Sequence, residues 1–96
     1  MKDQVYNFLL TIPKEKVVTY GKIAEALGDK KLARVVGNVL HRNPDEKKYP
    51  CYKVVNAKGE LSKNFAFGGI EEQKNRLEKD GIVVENYKVN LEEYGI

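Results

Sequence analysis

The residues best suited to chemistry cluster around Cys51, the sole cysteine of the chain; His41 is the sole histidine. That inventory excludes an intrachain disulfide framework and leaves too few good ligands for a structural metal. A lone cysteine is more often an inert buried side chain than a nucleophile. Here its neighbours strengthen the second reading. Pro50 fixes the backbone immediately before Cys51, and Tyr20, Arg34, Asn43, Tyr52 and Lys53 are polar companions. A thiol becomes reactive when positive charge, a helix N-terminus or a base lowers its pKa. Lys53 and Arg34 carry charge of the required sign.

The elements that must position these groups follow from hydrophobic spacing. Val5, Phe8, Leu9 and Ile12 fall at i, i+3, i+4 and i+7, one face of a first helix stopped by Pro13. Val17 and Val18 form a short extended stretch. A compact helix follows around Tyr20 to Leu27, with Ile23 and Leu27 inward and Gly28 in the place where a left-handed residue ends a helix. Leu32, Val35, Val36, Val39 and Leu40 then make an apolar stripe, with Arg34, Asn38, His41 and Arg42 on the other side and small Ala33 and Gly37 between. Asn43-Pro44 ends that helix. Two short helices joined by a tight glycine-containing turn, the second with a basic outer face, describe a helix-turn-helix. Pro50 to Val55 reads as a buried loop entering a strand, 56–59 as a turn, 60–67 as irregular, Ile70 to Asp80 as the last helix, and Ile82 to Leu91 as an extended terminal segment. The expected fold is mainly helical α+β, a winged helix-turn-helix occupying residues 1–96 as one domain.

Composition agrees with that size and class. The chain has 96 residues, 42% of them hydrophobic and 32% charged, too apolar for disorder and too short for a second core. No apolar run approaches the ~20 residues that span a bilayer, and the start Met1-Lys2-Asp3-Gln4 begins no signal peptide. A soluble cytoplasmic monomer with no membrane association is the simplest expectation. The net charge of +3 is unevenly spread: residues 30–53 hold seven basic and two acidic side chains, whereas 71–96 hold seven acidic and four basic ones. A basic middle and an acidic end are common in nucleic-acid modules, but on charge alone a solvated mixed-charge surface is the better explanation.

At this point the chain is identified as resembling the DNA-binding, catalytic domain of the O6-alkylguanine-DNA alkyltransferases (methylated-DNA–protein-cysteine methyltransferases). The matching pieces are Ile12-Pro13, Val17 through Ala24, Ala33-Arg34-Val35-Val36-Gly37, Asn43-Pro44, Pro50-Cys51-Tyr52-Lys53-Val54, Gly59-Glu60-Leu61, Gly68-Gly69 and Leu77 through Gly81, in family order. The resemblance implies the alkyltransferase C-terminal-domain type of fold and a single-turnover repair reaction on double-stranded DNA containing O6-alkylguanine, with no cofactor because the cysteine itself is consumed. It implies a recognition helix lying along the minor groove, Arg34 entering the base stack in place of an extruded nucleotide, and Cys51 accepting the alkyl group. Tyr20 would hydrogen-bond the guanine and help protonate it, and Asn43 would brace the active-site loop. Extrusion makes physical sense, because a stacked base is unreachable and a filler offsets the lost stacking. For Ala33 and Gly37, close approach to DNA and tight helix packing are equally good explanations. Lys30, Lys31, Asn38, Arg42 and Lys53 complete the expected DNA-binding set.

The departures fall at the chemistry. The usual Pro-Cys-His-Arg-Val reads Pro50-Cys51-Tyr52-Lys53-Val54, so the histidine that relays the thiol proton is Tyr52, and the glutamate beyond it is Asp80. A neutral phenol is a poor proton acceptor near pH 7. The segment before Gly68 is about two residues longer than usual, so the family's pocket tyrosine maps onto Phe65 or Phe67. Three functions therefore stand: a stoichiometric alkyltransferase, a lesion-recognition module that flips the base without transfer, and a winged-helix DNA-binding regulator in which Cys51 is structural.

Overall fold

Short amphipathic segments separated by strong stop signals fold, in the computed structural model, into five helices and two small sheets. Residues 2–63 and 65–96 are described. Helix α1 (Lys2–Leu9) precedes strand β1 (Val18–Thr19) and helix α2 (Tyr20–Ala26); a 3₁₀ turn (Lys30–Leu32) leads into helix α3 (Ala33–His41). A second 3₁₀ turn (Cys51–Lys53) runs into strand β2 (Val54–Val55), and helix α4 (Gly69–Lys79), strands β3 (Val84–Glu85) and β4 (Lys88–Val89) and helix α5 (Leu91–Tyr94) follow. Thr19 caps α2, its hydroxyl accepting from the Lys22 amide at 3.1 Å, and Asp29 caps the turn before α3, its carboxylate accepting from the Lys31 amide at 2.9 Å. Such caps satisfy the orphan amides of a helix start. They fix the angle between the two helices of the helix-turn-helix.

The ribbon β1–β2 divides the core. The strands pair in parallel, Val18 opposite Val54 and Thr19 opposite Val55. Successive strand side chains point to opposite faces, so Val18 and Val54 join a cluster with Val5, Leu9, Ile23, Val36, Leu40 and Cys51. Val17 and Val55 join Leu61, Leu77, Ile82 and Val89 on the other side. Cys51 thus belongs to the helix-turn-helix core, while α4 and the C-terminal hairpin build the second cluster.

Four expectations need correction. The first helix ends at Leu9, and Leu10 to Ile12 continue as tight turns with each amide bonded three residues back; Ile12 is still buried. Val35 is 40% exposed, because α3 packs against the core through a stripe centred on Val36 and Leu40, leaving Val35 beside Arg34 at its edge. The helix over 70–80 runs from Gly69 to Lys79 and is not the last: α5 follows it. The terminal segment is the antiparallel β3–β4 hairpin, turned by Asn86 and Tyr87 at φ 52° and 58°, the left-handed pair of a type I′ turn. No helix of the described residues is long and apolar enough to cross a membrane.

One glycine holds this second half together. Gly59 has φ +83°, and a Cβ there would lie 2.3 Å from the Val89 carbonyl oxygen, whose own amide bonds the Gly59 carbonyl at 2.9 Å. Gly59→Ala therefore combines left-handed strain of about 1–2 kcal/mol with a backbone clash. Urea denaturation should show a loss of at least about 2 kcal/mol, and no loss would mean that the hairpin does not pack as described.

Candidate functional site

A cleft of ≈670 Å³ opens where α3, the start of α2, the Cys51 turn and Ser62, Phe65 and Ala66 meet. Tyr20, Gly37, Asn38, Leu40, His41, Cys51, Val54, Ser62, Phe65, Ala66 and Gln73 line it. Each comes from a local rule. Thr19 starts α2 so that Tyr20 stands on its first turn; Pro50 directs the chain into the 3₁₀ turn that carries Cys51; α3 turns its stripe inward and leaves Gly37, Asn38 and His41 along the cleft. A Cβ on Gly37 would meet the Tyr20 ring at 3.9 Å, an ordinary contact, so the glycine spares room at the cleft rather than relieving strain. Ala33 is packed against the helical core.

Asn43 is buried at the back of the site. Its Nδ2 donates to the Tyr49 carbonyl at 2.8 Å and its Oδ1 accepts from the Asp45 amide at 2.9 Å, so one side chain fixes the loop leading from α3 to Cys51. Tyr6 reinforces that loop: its hydroxyl donates to the Val39 carbonyl at 2.6 Å, and its ring stacks on Tyr49 at 4.9 Å.

Burial pushes the Cys51 thiol up from its ordinary value; the Asn43 side chain and the Arg76 charge pull it down, without overcoming burial. Tyr52 is engaged with Asp80. The Tyr52 hydroxyl donates to the Asp80 carboxylate at 2.5 Å, and burial, that hydrogen bond and the Asp80 charge hold the phenol well above the usual tyrosine range. Tyr20 is likewise pushed up by burial, with a hydrogen bond from Ser62 opposing. A phenol that keeps its proton can donate it, and Tyr20 lines the cleft.

The DNA-binding candidates divide sharply. Arg34 and Asn38 on α3, Lys30 and Lys31 on the turn before it and Arg42 just past its end are exposed, with Lys30 in a loose 3.7 Å pair with Glu25. Lys53 is the exception. It is 5% exposed, and its ammonium donates to the carbonyls of Pro13 at 3.0 Å and Ile12 at 3.5 Å. Burial lowers its pKa. Lys53 ties the chain after α1 to the Cys51 turn and offers nothing to a phosphate. Phe65 lines the cleft and meets Phe67 edge-on at 5.9 Å, so the mapping of the family's pocket tyrosine resolves spatially toward Phe65; Asn64, within the lengthened segment, lies outside the described residues.

Sequence reasoning missed three contributors. Gln73 is buried beneath the Cys51 turn. Arg76 bonds Glu72 at 2.8 Å and Glu46 at 3.2 Å and lies over the Phe65 ring at 5.4 Å. His41, on the outer face of its helix by sequence, also lines the cleft. The available signal for Gln73 was a polar residue at an apolar register position, between Ile70 and Leu77 at i, i+3 and i+7.

With this geometry in place, comparison with known proteins is informative. Residues 1–82 match the family described as 6-O-methylguanine DNA methyltransferase, DNA binding domain. The chain is 43% identical over 90 residues to a bifunctional methyltransferase/endonuclease of Picrophilus torridus, covering 94% of this chain but 30% of that protein. It is 38% identical over 96 residues to alkyltransferase-like protein 1 of Schizosaccharomyces pombe, covering 95% of this chain and 89% of that one. Its fold superposes with TM-score 0.90 and 36% identity on the crystal structure of S. pombe Atl1 in complex with damaged DNA containing O6-carboxymethylguanine, covering 99% of this chain and 93% of that one.

Proposed function

The chain belongs to the family of 6-O-methylguanine DNA methyltransferase DNA-binding domains, and we propose that it lays α3 along duplex DNA, extrudes an O6-alkylguanine into the cleft and passes the alkyl group once to Cys51. One observation carries this reading: Cys51 and Tyr20 share a single open cleft directly beside the helix that exposes Arg34. Arg34 occupies the gap left in the stack. The Sγ–C bond forms as the C–O6 bond breaks, the electron pair passes to the guanine, and the guanine leaves protonated, Tyr20 donating and the thiol proton balancing the charge. Holding the alkyl carbon in line with Sγ supplies most of the acceleration.

A second reading, recognition without transfer, is favoured by the protonated thiol and by the commitment of Tyr52 to Asp80. Both readings require preference for lesion-containing duplex, which fluorescence anisotropy with Cys51→Ala isolates from chemistry. A preference of ~10³-fold or more for one undamaged operator would instead reveal a regulator.

Salt dependence identifies the DNA-facing surface. Affinity for undamaged duplex should fall with log salt at a slope of about −0.9 per phosphate neutralised. Replacing Lys30, Lys31 and Arg42 with glutamine should flatten that slope. Replacing Lys74, Lys79 and Lys88, or the buried Lys53 with methionine, should leave it unchanged. Equal flattening by both sets would put the DNA on a different face.

A further inference from the structure

We propose that Gln73 is a positioning residue for the reaction at Cys51, the buried link that holds the nucleophile's turn against the opposite wall of the cleft. The inference rests on the functional reading above. Gln73 is 1% exposed on the inner face of α4. Its Nε2 donates to the carbonyls of Tyr52 at 3.0 Å and Val54 at 3.1 Å, which lie one and three residues beyond Cys51. Its Oε1 accepts the Ser62 amide at 2.8 Å, and Ser62 lines the cleft together with Tyr20. One carboxamide therefore joins the backbone that aims the sulfur to a segment of the cleft wall shared with Tyr20.

The residue type is dictated by those partners. A carboxylate cannot donate to two carbonyls, an ammonium cannot accept from an amide, and an apolar side chain leaves all three groups unpaired in the interior. A clamp serving the fold alone has no need to hold Val54 and Ser62, which both line the cleft. In-line displacement makes the placement matter, because a misplacement of about 1 Å costs on the order of 100-fold in rate.

The test is single-turnover transfer from an O6-methylguanine duplex by Gln73→Glu and Gln73→Met. Reaction amplitude counts competent molecules, the saturating rate reports positioning, and the half-saturating duplex concentration reports binding. Both variants should lose about 10- to 100-fold in saturating rate, with amplitude retained and half-saturation within about twofold of wild type. Gln73→Glu keeps the acceptor for Ser62 and loses only the donors; if one variant does not fold, the other carries the test. A lower amplitude with an unchanged rate per competent molecule overturns the proposal. If wild type binds lesions but transfers nothing, the transfer reading fails and this proposal fails with it, whereas transfer by wild type at a rate unchanged in both variants overturns the proposal alone.

Discussion

Arg34→Ala should slow alkyl transfer from duplex DNA by about 100-fold while leaving transfer from free O6-benzylguanine within about twofold. Extruding a base costs a few kcal/mol, and 2.7 kcal/mol corresponds to about 100-fold in rate. Arg34 is exposed on α3 and is not among the residues lining the cleft, so its removal should alter extrusion rather than the pocket. A free base needs no extrusion and provides the internal control. Equal losses on both substrates would show that Arg34 supports the fold or the pocket.

Transfer to Cys51 should also accelerate with alkali, by about tenfold from pH 7 to 8 and further by pH 9. The sign follows from the site. Burial raises the thiol pKa, so across this interval the reactive thiolate is the minor species and its fraction grows with pH. Tyr20 is itself pushed up from its ordinary value of 10.0 and keeps its proton throughout, so no falling limb appears in that range. Tyr52→His should give the thiol an acceptor, raise the rate at pH 7 by at least about tenfold and flatten the pH profile. A flat wild-type profile would show a thiolate already formed. An unchanged rate in Tyr52→His would mean that the position does not relay the proton.

Much of this site is legible in the sequence because local rules happen to act there. The apolar stripe of α3 announces a helix with an exposed basic face, Gly28 and Asn43-Pro44 mark its approaches, and Pro50 singles out Cys51. Three-dimensional assembly hides the rest. Lys53 has the chemistry of a surface cation, and only the return of the chain past Ile12 and Pro13 supplies the carbonyls that hold it inside. Gln73 looks like one more polar residue of a highly charged helix until its three backbone partners converge on it. Arg76 lies in the acidic C-terminal part of the sequence, yet folding brings its charge to bear on the Cys51 thiol. The β3–β4 hairpin escapes notice because its turn uses Asn86-Tyr87, lacking the glycine that usually marks a type I′ turn. The two-residue strands β1 and β2 are too short to display any alternation.

The most direct test of the central claim is the intact mass of the protein after prolonged incubation with a duplex containing one O6-methylguanine. Transfer to the sulfur adds a methylene equivalent, about 14 Da, to a single peptide containing Cys51. The duplex should be left with unmodified guanine in equal molar amount. Cys51→Ala should bind the same duplex, gain no mass and leave the lesion intact. An unchanged wild-type mass at pH 9, under conditions where anisotropy shows the lesion bound, would contradict the acceptor role of Cys51.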